Sequence, residues 1–140
     1  MTEDCIFCGI VAGDIPGRIV GENDHAVAFL DANPMSEGHT LVVPRDHRER
    51  FGDTTSEEAS AVFELAHSLA PTIQDAVDAD GATIGMNDGE AAGQEIPHAH
   101  AHIMPRFDGD DGGPIHVAAG TRPDLSDEEL DDIAASITDA

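Results

Sequence analysis

Gln94-Glu95-Ile96-Pro97-His98-Ala99-His100-Ala101-His102-Ile103-Met104-Pro105 is the stretch on which both the fold and the chemistry turn. Three histidines alternate with two alanines. A strand sends every second side chain to one face, so an extended chain here presents His98, His100 and His102 as a single row. A helix would rotate successive members of that set by about 200°, because it has 3.6 residues per turn. Pro97 favours a strand start, since proline is tolerated there and pushes Ile96 toward extended geometry. A metal comb, a pH switch and a catalytic strip all fit an alternating histidine row. The preceding Gly85-Met86-Asn87-Asp88-Gly89-Glu90-Ala91-Ala92-Gly93-Gln94 favours catalysis. A loop rich in glycine and amides brings backbone N–H groups close to an anion, and imidazoles beside such donors suit phosphoryl transfer.

Composition narrows the classes. A chain of 140 residues is long enough for one domain with its own core, so residues 1–140 are expected to form one unit. No apolar run approaches the ~20 residues that span a bilayer, and the opening Met1-Thr2-Glu3-Asp4 is acidic, unlike a secretory signal. A cytoplasmic location is expected. The formal net charge is -23, from 29 acidic and 6 basic residues, and lysine is absent. So few cations cannot neutralise a row of phosphates, which argues against nucleic acid or an anionic membrane as a partner. Cys5 and Cys8, spaced Cys-x-x-Cys, suggest metal binding or redox work more than a structural disulfide.

Along the chain, Asp4 to Asp14 reads as a short helical turn with Asp4 as its cap, closed by Gly13 and Pro16. Arg18 to Glu22 and His25 to Leu30 read as strands joined by a hairpin at Glu22-Asn23-Asp24. After the loop Ala32 to Gly38, His39 to Val43 is a third strand that Pro44 closes. Thr55-Ser56-Glu57-Glu58 is a capping box, and Val62, Leu65 or Ala66, Leu69, Ile73 and Val77 follow at helical spacing. The main helix is therefore expected over Ser56 to Asp78, kinked at Pro71. Ala82 to Met86 and His100 to Met104 supply strands four and five. Phe107 to Gly113 reads as a flexible acidic turn without the ligand order of an EF-hand. Ser126-Asp127-Glu128-Glu129 caps a short amphipathic C-terminal helix carrying Leu130, Ile133, Ala134 and Ile137, expected to pack on this subunit or its partner. Strands clustered around one long helix imply an α+β fold with a five-stranded antiparallel sheet.

The run His98-Ala99-His100-Ala101-His102-Ile103-Met104 resembles the His-x-His-x-His signature of the histidine-triad (HIT) nucleotide hydrolases and transferases. Cys5-Ile6-Phe7-Cys8, Ala28-Phe29-Leu30-Asp31, Gly38-His39-Thr40-Leu41 through His47, and Asn87-Asp88-Gly89 through Pro105-Arg106 fall in family order. The resemblance implies a nucleotide substrate attacked at its α-phosphate, with His100 as the nucleophile and His102 on the phosphate and leaving group. It implies Asp31 on the ribose hydroxyls, Asn87 with Gly93 and Gln94 at the phosphate, and Phe7, Ile10 and Phe29 as candidates for the base pocket. Glu95 stands where nucleotide-binding members often carry Ser. His98 completes the triad, and with Cys5, Cys8 and His47 it would also complete a Cys2His2 structural zinc site. Reduced thiols against the core are the competing reading. A homodimer is implied as well. A nucleotide-binding sensor with little turnover and a zinc-binding interaction module remain the alternatives from other classes. His39 reads as a loop or strand-end residue, His25 and His116 as surface ones, and His67 as a surface or core-edge residue of the main helix.

So acidic a surface repels itself unless salt screens it, and at about 1 M salt the Debye length falls to roughly 3 Å. Unfolding measured against KCl is expected to show stability rising from dilute buffer toward molar salt; a maximum in dilute buffer would contradict this.

Overall fold

The computed structural model describes residues 4–139. Five strands form one antiparallel sheet: β1 Ile19–Glu22, β2 Ala26–Leu30, β3 Thr40–Pro44, β4 Gly81–Met86 and β5 Ala101–Arg106. Their spatial order is β1-β2-β3-β5-β4, so β5 is interior and β4 is an edge. The helices are α1 Ile6–Ala12, α2 Ser56–Ala76 and α3 Asp127–Thr138. The α+β class, the strand count and the long helix agree with the reading of the sequence.

β2 and β3 are buried on both faces, which explains why they read as continuous apolar runs. Ala26, Ala28, Val42, Ala101 and Ile103 turn to α2 and meet Ala61, Val62, Leu65, Ala66, Ala70 and Ile73. The alanines on the sheet side let the helix lie close. Val27, Phe29, Leu41 and Val43 turn the other way, to Phe7 and Ile10 of α1. The sheet is thus a partition between a long-helix layer and a small N-terminal one.

α2 starts as its sequence requires. Thr55 Oγ1 accepts from Glu58 N at 3.1 Å and Glu58 Oε1 accepts from Thr55 N at 2.8 Å. The helix runs unbroken through Pro71, which lies on its exposed side. It ends at Ala76 rather than Asp78, because Asp78 takes a left-handed φ of 55°.

Other expectations are corrected. The cap of α1 is Cys5, whose Sγ accepts from Cys8 N at 3.4 Å, and not Asp4. β5 begins at Ala101, so His98 and His100 lie in the approach to the strand and not within it. The acidic turn after β5 is laced by Asp110, which accepts from Arg106 Nε at 2.8 Å and Nη2 at 2.9 Å, and from the N–H groups of Phe107 and Gly112. α3 agrees with its expected start, forming behind its capping box, and its Leu130, Ile133 and Ile137 are exposed among the described residues.

Glu58 does double duty, because its carboxylate also receives Arg48 Nε at 2.9 Å and Nη2 at 3.1 Å. The guanidinium holds this carboxyl below the usual carboxylate range. A depressed folded-state pKa stabilises above the ordinary value and is lost as pH falls through the folded one. Glu58→Ala removes cap and pair together and is expected to lower stability at pH 7 by about 2 kcal/mol in urea unfolding. The difference from wild type should shrink in acid.

Candidate active site and metal cluster

Two groups of side chains meet where the chain enters β5, and both hang on the tripeptide His98-Ala99-His100. The first contains the cysteines. Cys5 Sγ lies 3.3 Å from His98 Nδ1, while Cys8 Sγ lies 3.5 Å from the same nitrogen and 3.3 Å from His47 Nδ1. His98 Nε2 donates to the carbonyl of Pro44 at 2.9 Å, and a carbonyl only accepts. The proton therefore sits on Nε2 and the lone pair of Nδ1 faces the sulfurs.

A metal-ligating imidazole needs its far nitrogen anchored in this way, because the bond fixes both tautomer and ring orientation. A tetrahedral zinc with Zn–S about 2.3 Å and Zn–N about 2.0 Å sets its ligands roughly 3.3–3.8 Å apart. The measured separations fall in that range, and all four ligand atoms lie within 4.8 Å of one another. Without a cation, burial and the adjacent Cys5 push the Cys8 thiol up to about 11. A divalent ion would reverse that, so Cys5, Cys8, His47 and His98 fit a structural metal. The side chain of His98 accordingly belongs to this cluster, and the expected row of three imidazoles on one phosphate is reduced to two.

Those two are His100 and His102, with ring centroids 4.9 Å apart. His100 Nδ1 donates to the carbonyl of His98 at 2.7 Å, which leaves the lone pair on Nε2. Phe7 meets the His100 ring edge-on at 5.1 Å. His102 is ordered from the other side by a residue that reading the sequence passed over. The N–H of Met35 donates to His39 Nδ1 at 3.1 Å, so the proton of His39 is on Nε2, and this donates to His102 Nδ1 at 2.9 Å. The proton of His102 is thereby driven to Nε2, a buried donor with no partner among the described residues.

Burial, and then the neighbouring His100 and His39, push His102 down to about 4; burial also lowers His39, against the pull of Asp31. Both rings are neutral at pH 7. One imidazole thus presents a lone pair and its neighbour an N–H.

The remaining residues fall around this pair. Asp31 Oδ2 stands 3.7 Å from His39 Nδ1, and its Oδ1 accepts from Asn33 N at 2.9 Å. Asn87 is exposed just beyond β4. Phe7, Ile10 and Phe29 are all buried in the α1-side core, Phe7 being the one that reaches His100.

The loop before the triad does not offer its amides to an anion as expected. The N–H groups of Ala92, Gly93 and Gln94 are spent on Gly89 and Glu90 carbonyls, and that of Gly89 on Gln94 Oε1. Gln94 Nε2 donates to the carbonyls of Glu49 at 2.7 Å and Ile96 at 2.9 Å, so this side chain braces the loop. Asp88 Oδ1 receives Arg50 Nε at 3.1 Å and Phe51 N at 2.9 Å. Gly89, at φ 92°, lies so close over that guanidinium that a Cβ would come within 2.9 Å of it. Ala99 N donates to Arg48 O at 2.7 Å, completing a line of ties from residues 48–51 to the triad segment.

Comparison with known proteins agrees with this fold. A crystal structure of a HIT family member from Bacillus subtilis superposes with a TM-score of 0.85 at 38% identity, covering 97% of this chain and 96% of that one. The zinc-bound histidine triad family protein from Mycobacterium smegmatis superposes with a TM-score of 0.75 at 30% identity, covering 99% of each chain. The Arabidopsis thaliana protein named adenylylsulfatase HINT3 is 34% identical over 110 residues, 79% of this chain and 56% of its own. Residues 12–109 match the model of the HIT domain, and the chain belongs to the HIT family.

Proposed function

We propose that this protein is a nucleotide hydrolase or transferase that acts at the α-phosphate of a nucleoside conjugate, a phosphoramidate or a dinucleoside polyphosphate, through a nucleotidyl-histidine. The observation that carries the reading is the opposed hydrogen bonding of two adjacent imidazoles, a free Nε2 on His100 and an unpartnered Nε2–H on His102. The relative named an adenylylsulfatase supports action on a nucleotide conjugate.

In the first step His100 Nε2 attacks the α-phosphorus, a P–N bond forms, and the bond to the leaving group breaks with its electron pair. Water then attacks the same phosphorus and releases the nucleotide from His100. His102 donates a hydrogen bond to the phosphoryl group. The phosphate's negative charge raises the pKa of His102, so substrate itself prepares this ring to protonate the leaving group. Asp31 accepts from the ribose hydroxyls and Asn87 donates its amide to phosphoryl oxygen. Gly93 and Gln94 act by shaping the loop, and Phe7, with Ile10 and Phe29 behind it, forms the apolar side. His98 contributes its carbonyl to His100 and its ring to the metal cluster.

A zinc ion held by Cys5, Cys8, His47 and His98 would supply structural cross-linking only. The reading extends to a homodimer, supported by the open edge of β4 and the exposed apolar stripe of α3. It also extends to a salt-rich cytoplasm, where thiols stay reduced and the acidic surface is screened.

Protein mixed with nucleotide conjugates, quenched in the first turnover and weighed intact, is expected to carry one nucleotidyl group. His100→Ala is expected to carry none and to lose at least about 10³-fold in kcat, as loss of a nucleophile does. Full turnover by His100→Ala would end the proposal. Metal analysis should find about one zinc per chain, and chelation should free both thiols to titration and lower the melting temperature by several degrees. Titratable thiols in protein as isolated, with no zinc, would remove the metal from the reading.

A further inference from the structure

Asn87 is exposed where the chain leaves β4, so packing alone does not hold its amide in register with the histidines. The loop it opens, residues 87–94, is closed on itself. Gly89 N donates to Gln94 Oε1 at 2.8 Å and Gln94 N to the carbonyl of Gly89 at 3.1 Å. A Cβ built on Gly93 would stand 4.0 Å from Asn87 Nδ2, so the Asn87 side chain lies beside the far end of its own loop. Such a loop keeps its shape, but its place relative to His100 has to be set from outside it.

That hold comes from residues 48–51. Asp88 Oδ1 accepts from Arg50 Nε at 3.1 Å and from Phe51 N at 2.9 Å, bonds that keep this carboxyl below the usual carboxylate range. The guanidinium also lies face-on to Gly89: a Cβ there would stand 2.9 Å from its Cζ, 3.0 Å from Nη2 and 3.2 Å from Nη1. At φ 92° this residue is glycine for its backbone as well as for the close approach. The segment is braced in turn, by Arg48 on Glu58 at the start of α2, by Arg50 N on Asp53 Oδ2 at 3.1 Å, and by Thr54 Oγ1 on the carbonyl of Phe51 at 2.6 Å. Its other contact is the carbonyl of Arg48, which receives Ala99 N at 2.7 Å. Asp88 follows Asn87 directly and Ala99 directly precedes His100, so one short braced segment sets the spacing between the two.

We propose that Arg50 is a positioning residue, acting through Asp88 and Gly89 to hold Asn87 at a fixed distance from His100. This rests on the nucleotidyl-transfer reading given above, in which Asn87 donates to a phosphoryl oxygen. A donor aids such a step only if it is already in place when charge develops, and a misplacement of about 1 Å can cost as much as 10²-fold. An exposed ion pair, by contrast, contributes little to global stability. Loss of the Arg50–Asp88 pair is therefore felt in the rate of the chemical step and little in the fold.

The test uses the full-length protein and an adenosine 5′-phosphoramidate, with the adduct on His100 weighed after quenching within the first turnover. Arg50→Ala is expected to slow adduct formation about tenfold while KM changes less than about threefold. Asp88→Ala is expected to give the same loss, and Arg50→Ala/Asp88→Ala no more than either alone. The deciding comparison is made in Asn87→Ala, itself slow, where adding Arg50→Ala is expected to change the rate by less than about twofold. General damage to the fold would act independently of Asn87, and losses that multiply in either pair overturn the assignment. An unchanged rate in Arg50→Ala also overturns it, and in both cases the reaction stands. Wild type that forms no adduct overturns the reaction and this inference with it.

Discussion

The hydrogen bond from His100 Nδ1 to the carbonyl of His98 is the contact on which the site depends. It decides which nitrogen of His100 keeps a lone pair, and it is only as exact as the placement of the His98 peptide. That peptide is fixed from three directions: by the ring of His98 on the carbonyl of Pro44, by the cysteines around its Nδ1, and by the N–H of Ala99 on the carbonyl of Arg48. Pro44 ends β3, Cys5 caps α1, and Arg48 also grips the capping residue of α2. Elements distant in sequence therefore converge on one carbonyl oxygen. The small N-terminal layer is in this sense a mount for the nucleophile as well as a cover for the core.

His102 is governed by a parallel device of different construction. Its orientation comes from one backbone N–H, passed on through His39. Such a chain works while both rings are neutral, the state in which burial holds them before substrate arrives. The two histidines thus receive opposite tautomers from opposite kinds of backbone group, a carbonyl for one and an amide N–H for the other. Alternation in the sequence brings them side by side, and the backbone partners make them chemically different.

Much of this was legible beforehand, for physical reasons. The short apolar runs that end at Leu30 and Val43 read as strands because turn residues bound them on each side, and two capping boxes marked the starts of α2 and α3 to within a residue. Cys5 and Cys8 hinted at a metal by their Cys-x-x-Cys spacing, and His47 and His98 joined them only through the family resemblance. What escaped depended on tertiary geometry. His39 looks like a polar strand end, yet it is 2% exposed, and its value lies in the pairing of β3 with β5. Glycine content near Gly89 and Gly93 suggested amides free for an anion, whereas the loop spends them on itself.

α3 has a consequence of its own. Its twelve residues are held by a cap and by local propensity, with no core beneath them in this chain. Isolated helices of about this length are marginal in water. In a lone chain its amide protons should therefore exchange with solvent far sooner than those of α2, through a local opening that leaves the sheet intact. The C-terminal end of the molecule is thus a separate cooperative unit, coupled to the remainder mainly through the extended residues that carry it away from the sheet.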